Sequence, residues 1–322
     1  MDNDCSRRKF LRVSLGTLAT MGLTKIGCSK DSDGEVLRPT STPMPKRQLG
    51  KTGYNVCLFS LGGQATLEQP NQDDLADKII NRAIDLGVNY LDTAWYYGSG
   101  LSETYIGRVM KQRRNEVFLA SKTIDRTYDG SMRQLDQSLT RLQTSRLDLW
   151  QLHNIRTQSD LNLVFGANGA VKALEKAKSE GVTRFIGITG HFDPLVLAQA
   201  INQYAFDTVL MALNAADVHY KSFSKDLLPT AVSKSLGIIA MKIVARGAIF
   251  RSGGITTIEQ AMGYTLTHPV STVIIGCSTV ADVENNVRTA QNFRPLTTDQ
   301  MRQYEALTQG YYRDASFFKF DW

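Results

Sequence analysis

Asn89-Tyr90-Leu91-Asp92 is the first of three apolar runs that end in a polar side chain; the others are Val117-Phe118-Leu119-Ala120-Ser121-Lys122 and Leu147-Asp148-Leu149-Trp150-Gln151-Leu152-His153. A continuous apolar run is typical of a parallel strand whose two faces are both covered. In a barrel of parallel strands the carboxyl ends open on one face, where catalytic groups collect. We therefore expect Asp92, Lys122 and His153 to converge there with Tyr97, which closely follows the first run.

Runs of this kind alternate with helical patterns along the chain. Strands are predicted near residues 56–61, 89–93, 117–122, 147–153, 184–189, 207–213, 237–244 and 270–276. Helices are predicted around Ile80, Ile106, Leu139, Leu174, Leu197, Ala231, Gln260 and Asn286. Eight strand-then-helix units indicate an α/β fold of the (β/α)8 TIM barrel class. An open doubly wound sheet is not indicated, because the glycine-rich dinucleotide fingerprint that would begin it is missing.

The first 30 residues differ in character from the rest. Ser6-Arg7-Arg8-Lys9-Phe10 precedes a modestly apolar run that is too short and too polar to span a bilayer. Paired arginines before such a run resemble a twin-arginine export signal, although a solvated basic tail is the alternative interpretation. We therefore predict a signal segment over residues 1–30, a flexible linker over 31–44, and a barrel with a carboxyl-terminal tail over 45–322.

An export signal of this type implies that the twin-arginine machinery is a partner of the protein. It also implies a location outside a bacterial cytoplasm, in the periplasm or anchored on the outer side of the membrane. Ile26-Gly27-Cys28-Ser29 resembles a lipoprotein cleavage site, which would place a lipid anchor at Cys28. Lys25 stands where such sites have an apolar residue, so removal of Cys28 with the leader stays open.

Basic residues concentrate in the same amino-terminal segment. The chain carries a formal charge of +6, and residues 1–30 contain six basic and two acidic side chains, which leaves +2 for the remainder. A nucleic-acid partner is therefore not expected, because binding a nucleic acid needs a basic surface. The four cysteines include no pair with the spacing of a metal site or a disulfide framework, so no bound metal is expected.

The four polar side chains would form a proton-transfer site where the strands converge. A tyrosine hydroxyl has a reference pKa of about 10, too high for efficient donation near neutral pH. The ammonium group of Lys122 would lower the pKa of Tyr97, and Asp92 would hold the lysine in place. His153 would hold a carbonyl oxygen beside the tyrosine. Such a site suits hydride delivery to a ketone or aldehyde while the tyrosine protonates the oxygen.

From about residue 45 to residue 307 the chain resembles the aldo-keto reductase family. The segment from Gln48 to Gly63 is similar to the family's capping hairpin and first strand, and Leu91-Asp92-Thr93-Ala94-x-x-Tyr97-Gly98 with Ser102-Glu103 resembles its signature. The resemblance implies an NAD(P)-dependent oxidoreductase that acts on a small-molecule carbonyl or alcohol. By the same resemblance Tyr97 is the general acid/base, Lys122 tunes it, Asp92 holds the lysine, and His153 orients the substrate.

The resemblance also implies a cofactor site at the strand ends. The candidate cofactor-binding residues are Gly63, Thr189, Gly190, Met241, Lys242, Gly276, Ser278, Asp282 and Asn286. Several depart from the family pattern: Thr189-Gly190 replaces a Ser-Asn pair that binds the nicotinamide carboxamide, and Leu210 replaces a glutamine. Met241 replaces an aromatic ring that stacks on the nicotinamide, and a thioether can still pack there softly. Lys242 could contact the pyrophosphate or face solvent.

The choice between NAD and NADP depends on one loop. Family members that select NADP use basic residues for its 2′-phosphate, and the matching positions here hold Gly276 and Asp282. Sites selective for that phosphate normally present Arg or Lys forks. We therefore expect NAD(P)H as cofactor with little preference for NADP(H), unless Arg288 or Arg294 supplies the charge.

Substrate identity does not follow from the sequence. Trp95, Tyr96 and the aromatic tail that begins at Tyr311 would suit sugars, steroids or quinones alike. In relatives the tail folds over the pocket mouth, and packing against the outer helices is the alternative. A different function, a nicotinamide-binding regulatory or sensory barrel with negligible turnover, is favoured by the altered carboxamide contacts. A TIM-barrel hydrolase is not favoured, because the sequence places no paired carboxylates at strand ends.

Overall fold

A computed structural model of the protein describes residues 43–320. The predicted signal segment, Cys28 and nearly all of the predicted linker lie outside the described residues. Among residues 43–320, no helix combines the length and apolar character that a membrane crossing requires.

Eight parallel strands form a closed barrel, which confirms the predicted fold class. The strands are β3 (Phe59–Gly62), β4 (Tyr90–Asp92), β5 (Phe118–Thr123), β6 (Leu147–Leu152), β7 (Thr183–Gly190), β8 (Thr208–Ala212), β9 (Gly237–Met241) and β10 (Thr272–Gly276). Each pairs with its neighbours in chain order, and β10 closes the barrel on β3. The strands are buried almost throughout, as their continuous apolar runs predicted.

Helices follow the strands and form the outer layer. They are α1 (Asp73–Asp85), α2 (Leu101–Arg113), α3 (Tyr128–Leu142), α4 (Gln158–Val164), α5 (Ala170–Ser179), α6 (Pro194–Gln203), α7 (Phe223–Asp226), α8 (Leu228–Ser233), α9 (Ile258–Thr267), α10 (Val280–Gln291), α11 (Thr298–Thr308) and α12 (Tyr312–Ala315). Every predicted helix centre lies inside one of them. The apolar stripe of α1, for example, buries Ile79, Ile80 and Ala83 against the barrel.

The predicted first strand, residues 56–61, overlaps a barrel strand but begins too early, because it spans two elements. β1 (Lys46–Gln48) and β2 (Asn55–Cys57) form an antiparallel hairpin, and the barrel strand β3 begins only at Phe59. Leu49 and Val56 from this hairpin are fully buried in one cluster with interior residues of the barrel such as Tyr90. An apolar run predicts burial, but it does not distinguish a plug in the barrel from a strand of its wall.

One glycine fixes how closely this hairpin approaches the barrel. Gly50 has φ +52°, and a Cβ at this position would lie 2.2 Å from the backbone nitrogen of Gly237. A larger residue at position 50 would therefore push the hairpin away from β9.

The predicted seventh strand, residues 237–244, is also too long. β9 ends at Met241, and positive φ angles follow at Lys242 (61°), Ala245 (45°) and Arg246 (53°). Residues with side chains rarely adopt this conformation, at a cost of about 1–3 kcal/mol each, and such strain clusters at functional sites. The loop contains apolar residues among 242–250, so the hydrophobic pattern did not show where the strand ends.

The carboxyl-terminal tail lies on the loops at the carboxyl ends of the strands. The carbonyl of Ala315 accepts a bond from Asn214 Nδ2 at 3.0 Å, and Lys319 Nζ pairs with Asp217 at 2.6 Å, so the tail contacts the loop after β8. Tyr311 donates to the carbonyl of Ile249 in the loop after β9. Of the two alternatives for the tail, the structure places it on the loops that surround the mouth.

Candidate active site

A buried ion pair lies at the carboxyl ends of β4 and β5. Asp92 is the last residue of β4, and Lys122 lies two residues beyond its register partner on β5. Lys122 Nζ donates to Asp92 Oδ1 and, at 2.6 Å, to the carbonyl of Thr93. Gln151 on β6 adds a donor at 3.4 Å to the second oxygen of Asp92. The lysine is only 1% exposed, so this pair fixes a positive charge beneath the barrel mouth.

A tight turn after β4 brings Tyr97 over this charge. Gly98, Ser99 and Gly100 all have positive φ, and a Cβ on Gly98 would lie 2.5 Å from the carbonyl oxygen of Glu68. Lys122 Nζ lies 4.9 Å from the centre of the Tyr97 ring. The turn therefore needs its glycines to seat the tyrosine against the lysine.

His153 completes the group from the end of β6. Its ring and that of Tyr97 are nearly perpendicular, with centres 5.5 Å apart. The structure thus brings together all four predicted catalytic side chains, from Asp92, Tyr97, Lys122 and His153. Among residues 43–320, no group of three or more His, Cys, Asp and Glu side chains could hold a metal ion.

The electrostatics of Tyr97 differ from the expectation. Burial raises the pKa of Tyr97, and the positive charge of Lys122 opposes this without reversing it. The sequence predicted the effect of the lysine but not the size of the desolvation. Burial lowers the pKa of Lys122, but the attraction of Asp92 and of the tyrosine outweighs this and raises it overall. Tyr97 therefore keeps its proton, and its ring lies against the positively charged ammonium group of Lys122.

His153 is held in place by a residue that the sequence analysis missed. Burial, followed by the charge of Lys122, brings the pKa of His153 well below its usual value, so its ring is neutral. Arg126 donates to the carbonyls of His153 at 2.8 Å and Asn154 at 2.9 Å. The signal for Arg126 was its place in the polar loop directly after β5. Nδ1 of His153 is buried without a hydrogen-bond partner among the described residues.

A cavity of about 530 Å³ opens beside Asp92 and Tyr97, whereas Lys122 and His153 do not line it. Asp92, Tyr97 and Leu210 contribute to its wall, together with seven of the predicted cofactor residues: Gly63, Met241, Lys242, Gly276, Ser278, Asp282 and Asn286. Two glycines allow close packing within its wall, because a Cβ on Gly63 would lie 2.4 Å from Ser102 Oγ and one on Gly276 would lie 3.0 Å from the carbonyl of Gln64. The cavity thus runs from the catalytic group to the loop after β10.

Thr189 and Gly190 are not among the residues that line this cavity, so their contact with the cofactor stays a prediction. The Thr189 hydroxyl accepts the backbone N–H of Asn154 at 2.8 Å, and the Thr189 carbonyl accepts that of Ile155 at 2.8 Å. Gly190 packs against Leu197 of α6. The bonds of Thr189 hold the loop that carries His153.

Asp282 lines the cavity, but its carboxylate already has partners. Oδ2 accepts the backbone N–H groups of Ser278 and Thr279, each at 2.9 Å, and the Thr279 hydroxyl accepts the N–H of Asp282 at 3.1 Å. This is a capping box at the start of α10. Asp282 is therefore placed at the expected end of the cavity, with its helix-capping bonds competing against contact with a ribose hydroxyl.

Two cations on the loop after β9 face the cavity. Burial, followed by the charge of Arg246, lowers the pKa of Lys242 to about 8. Arg246 lies 3.7 Å from Glu68 on the loop after β3, so an ion pair spans the cavity. The sequence analysis missed Arg246 and Glu68; basic residues in a glycine-containing loop after a strand were the available signal for the former. Lys242 lines the cavity and is largely withdrawn from solvent.

This fold and site define a barrel oxidoreductase with a cavity for an extended, negatively charged cofactor. Residues 58–254 match the Aldo/keto reductase family, and the chain belongs to that family. The chain is 29% identical to L-galactose dehydrogenase of Arabidopsis thaliana, over 83% of this chain and 95% of that protein. It is 26% identical to D-threo-aldose 1-dehydrogenase of a Pseudomonas species, over 56% of this chain and 63% of that protein.

A solved structure gives the same result for the fold. The holo form of an aldo-keto reductase from Bacillus halodurans superimposes with a TM-score of 0.70 at 26% identity, covering 82% of this chain and 96% of that one. The chain is therefore an oxidoreductase of the aldo/keto reductase class, which uses NAD(P)H.

The residues present fit such a cofactor. The cavity reaches from Asp92 and Tyr97 to the loop after β10, and Lys242 and Arg246 in its lining supply positive charge for phosphates. The buried Oε1 of Gln151 and Oδ1 of Asn154 accept no hydrogen bond from the described residues, but neither residue lines the cavity.

Proposed function

We propose that the protein interconverts a carbonyl compound and its alcohol, with Tyr97 as general acid in reduction and general base in oxidation. The observation that carries this proposal is the stack of Tyr97 on buried Lys122, 4.9 Å from the ring centre, at the wall of the cavity. The nicotinamide supplies the hydride in reduction and accepts it in oxidation. The protein's own residues handle the substrate oxygen and its proton.

Each catalytic side chain has a separate task in this proposal. Tyr97 carries its proton at neutral pH and can donate it to the oxygen as that atom becomes negative, although burial raises its pKa and on its own makes it a weaker acid. The fixed charge of Lys122 stabilises the phenolate left behind, and Asp92 keeps the lysine in position. His153 orients the carbonyl oxygen by a hydrogen bond from the one N–H group of its neutral ring.

The substrate proposed is a polar aldehyde or ketone of the sugar type. Two relatives carry the names of sugar dehydrogenases, L-galactose dehydrogenase and D-threo-aldose 1-dehydrogenase. The mouth of this barrel presents half-buried Trp95 and exposed Tyr96, and aromatic faces of this kind pack well against sugar rings. The proposed activity therefore includes aldose oxidation as well as aldehyde reduction.

The test is the variant Tyr97→Phe, with Tyr96→Phe as its matched control. Tyr96 lies in the same turn and is 60% exposed, so the control removes an equivalent hydroxyl outside the buried group. Loss of a general acid costs roughly 10²–10⁴-fold in turnover, so we expect that loss for Tyr97→Phe and little change for Tyr96→Phe. Single-turnover reduction of an aldehyde panel by cofactor-loaded protein measures it, and calorimetry of cofactor binding should show nearly equal affinities.

The same measurement separates the alternative function. A regulatory or sensory barrel would bind the cofactor with normal affinity and reduce no aldehyde even in a single turnover. The bond from the Asn154 N–H to the Thr189 hydroxyl favours this alternative, because it occupies one acceptor site of a predicted carboxamide contact. Damage from Tyr96→Phe with an active Tyr97→Phe would instead mean that the wrong tyrosine was assigned as the acid.

We further propose export by a bacterial twin-arginine route, with Arg7 and Arg8 as the paired arginines and Cys28 as a candidate lipid-attachment site. The support is the resemblance of residues 1–30 to such a signal. The protein would then act in the periplasm or on the outer side of the membrane. Metabolic labelling with a fatty acid tests the anchor, since label should be lost in Cys28→Ala and kept in Cys5→Ala.

A further inference from the structure

Arg156 stands at the mouth of the barrel, three residues beyond His153 on the loop after β6. Its guanidinium carbon lies 4.4 Å from the centre of the Phe192 ring, and the side chain is half-buried. No carboxylate of the described residues forms an ion pair with it. A guanidinium presents five N–H donors in a planar fork that matches a carboxylate, and stacking on an aromatic ring uses none of them.

The nearest acidic residue on the same loop cannot serve as its partner. Asp160 Oδ1 accepts from Arg126 Nε at 2.9 Å, and Asp160 Oδ2 accepts the backbone N–H groups of Arg156 and Thr157 at 2.9 and 3.0 Å. Other mouth cations differ from Arg156 in this respect. Arg126, Lys221, Arg246, Arg251 and Lys319 each pair with a carboxylate.

A second cation lies against the same ring. Lys221, on the loop after β8, has its Nζ 4.3 Å from the centre of Phe192 and pairs with Asp193 at 3.0 Å. Lys221 has φ 42°, so the loop holds this residue in a strained conformation at the rim. Asp193 also caps α6 by accepting the N–H of Leu195 at 3.0 Å. Its carboxylate therefore serves both the ion pair with Lys221 and the helix cap. Phe192 thus carries two positive groups.

His191 connects these cations to the catalytic group. It is buried at the end of β7, and its Nδ1 lies 3.2 Å from the carbonyl oxygen of Phe318 in the tail. The loop bearing His153 is bonded to the same strand end, through the Thr189 hydroxyl and carbonyl. Burial, then the charges of Lys242 and Arg156, lower the pKa of His191 to about 3. The charges of Arg156 and Lys242 therefore both act on His191, which follows the strand end that holds the His153 loop.

We propose that Arg156 and Lys221 form a subsite for a carboxylate of the substrate, so that the preferred substrate is a carboxylate-bearing aldehyde or ketone. This inference rests on the proposed carbonyl chemistry and narrows it to one substrate class. The substrate spans from Tyr97 and His153, which hold its carbonyl group, to Arg156 and Lys221, which bind its acid group. Arg156 supplies a bidentate contact and Lys221 a rim charge.

Matched pairs of substrates test the subsite. 4-Formylbenzoate is compared with its methyl ester, and D-galacturonate with D-galactose, so that each pair differs mainly in the carboxylate. The wild-type protein should show a higher kcat/KM for each acid than for its neutral partner. Arg156→Gln should raise KM for the acids about tenfold with kcat nearly unchanged and should leave the neutral partners unaffected, and Arg156→Lys should recover part of the loss.

The control for net charge is Arg146→Gln. Arg146 lies just before β6, at the opposite end of the barrel, where it donates to Asn115 Oδ1 at 2.9 Å. Arg146→Gln should leave kcat/KM unchanged for the acids and for their neutral partners. Equal losses for acids and neutral partners in Arg156→Gln, or a wild-type protein without preference for the acids, would overturn the subsite.

A binding measurement keeps the two proposals separable. Calorimetric titration with 4-formylbenzoate and with its methyl ester requires no turnover. If no aldehyde is reduced, the carbonyl chemistry fails, and the titration still decides on the subsite. Acid binding that weakens about tenfold in Arg156→Gln supports the subsite, and acid binding that is unchanged in this variant rejects it.

Discussion

At the scale of single residues, Asp282 combines a predicted role in the choice between NAD and NADP with hydrogen bonds at the start of α10. The sequence resemblance predicts a basic residue at this position in NADP-selective relatives, and the structure shows that Asp282 Oδ2 accepts the N–H groups of Ser278 and Thr279. We predict little preference for NADP(H) over NAD(H), because a carboxylate at this position repels a 2′-phosphate. Asp282→Arg should shift the balance toward NADP(H) by about 1–2 kcal/mol, the scale of a charge-assisted hydrogen bond. Calorimetric titration with both cofactors measures the shift.

The same substitution removes a helix cap, which gives a second observable. Loss of an amino-terminal cap costs about 1 kcal/mol of stability, so Asp282→Arg should also lower the urea midpoint. Asp282→Asn is the control, because it keeps a capping oxygen without adding a cation. A hundredfold wild-type preference for NADP(H) would contradict the predicted role of Asp282. The 2′-phosphate would then bind to cations that line the cavity, with Lys242 and Arg246 as candidates.

At the scale of elements, the carboxyl-terminal tail is fastened by one buried ion pair. Lys319 and Asp217 are each about 1% exposed, and Lys319 Nζ also donates to the carbonyl of Tyr220 at 2.9 Å. Breaking a buried pair by removing one partner costs about 3–5 kcal/mol, because the other charge stays buried. We predict that Lys319→Met either destabilises the protein by about that amount or releases the tail locally. Urea unfolding and limited proteolysis of the tail distinguish these outcomes.

The control for this prediction is Lys176→Met on α5. Lys176 pairs with Glu180 one helical turn away, with both side chains more than 40% exposed. Exposed pairs of this kind contribute little to stability, because water and salt screen their charges. A loss in Lys319→Met no larger than in Lys176→Met, with the tail still resistant to protease, would show that the buried pair does not fasten the tail.

The elements that the sequence predicted share one property, a hydrophobic pattern with a single interpretation. The eight barrel strands and one helix after each follow from such patterns, whereas the short helices α4 and α7 were not predicted. The errors occurred where the pattern allows two structures. The run at residues 56–61 serves both a plugging hairpin and a wall strand, and Lys319 is a charged residue that is fully buried. Only the tertiary partner, Asp217, explains the latter.

At the scale of the whole molecule, the convergence of the four candidate catalytic side chains could be predicted, and the lining of the cavity only in part. Strand ends of a parallel barrel meet on one face whatever the details of packing, so Asp92, Lys122 and His153 had to come together. Contacts between loops do not follow from such a rule. The pair of Arg246 with Glu68 joins loops at opposite sides of the cavity, and Thr189 turns its hydroxyl to Asn154.

The proposed export also depends on the molecule as a whole. A closed barrel is complete only when β10 pairs with β3, so the cofactor cavity between the loops after β3, β9 and β10 exists only in the folded chain. A signal that serves folded proteins would let the barrel form and take up its cofactor inside the cell. This requirement favours the twin-arginine route over a route that threads an unfolded chain.

The prediction concerns the double variant Arg7→Lys with Arg8→Lys in the full-length protein. It keeps the charge of the leader and removes only the paired guanidinium groups, so a signal that depends on arginine should fail and the protein should accumulate in the cytoplasm. The charge-conserving control Lys9→Arg with Arg12→Lys alters the neighbours of the pair and should be exported normally. Cell fractionation in a bacterial host with a twin-arginine system, followed by assay of carbonyl reduction in each fraction, measures the distribution. Normal export of the double variant would exclude the twin-arginine assignment, because the leader would then act as a basic tail or as a signal of another kind.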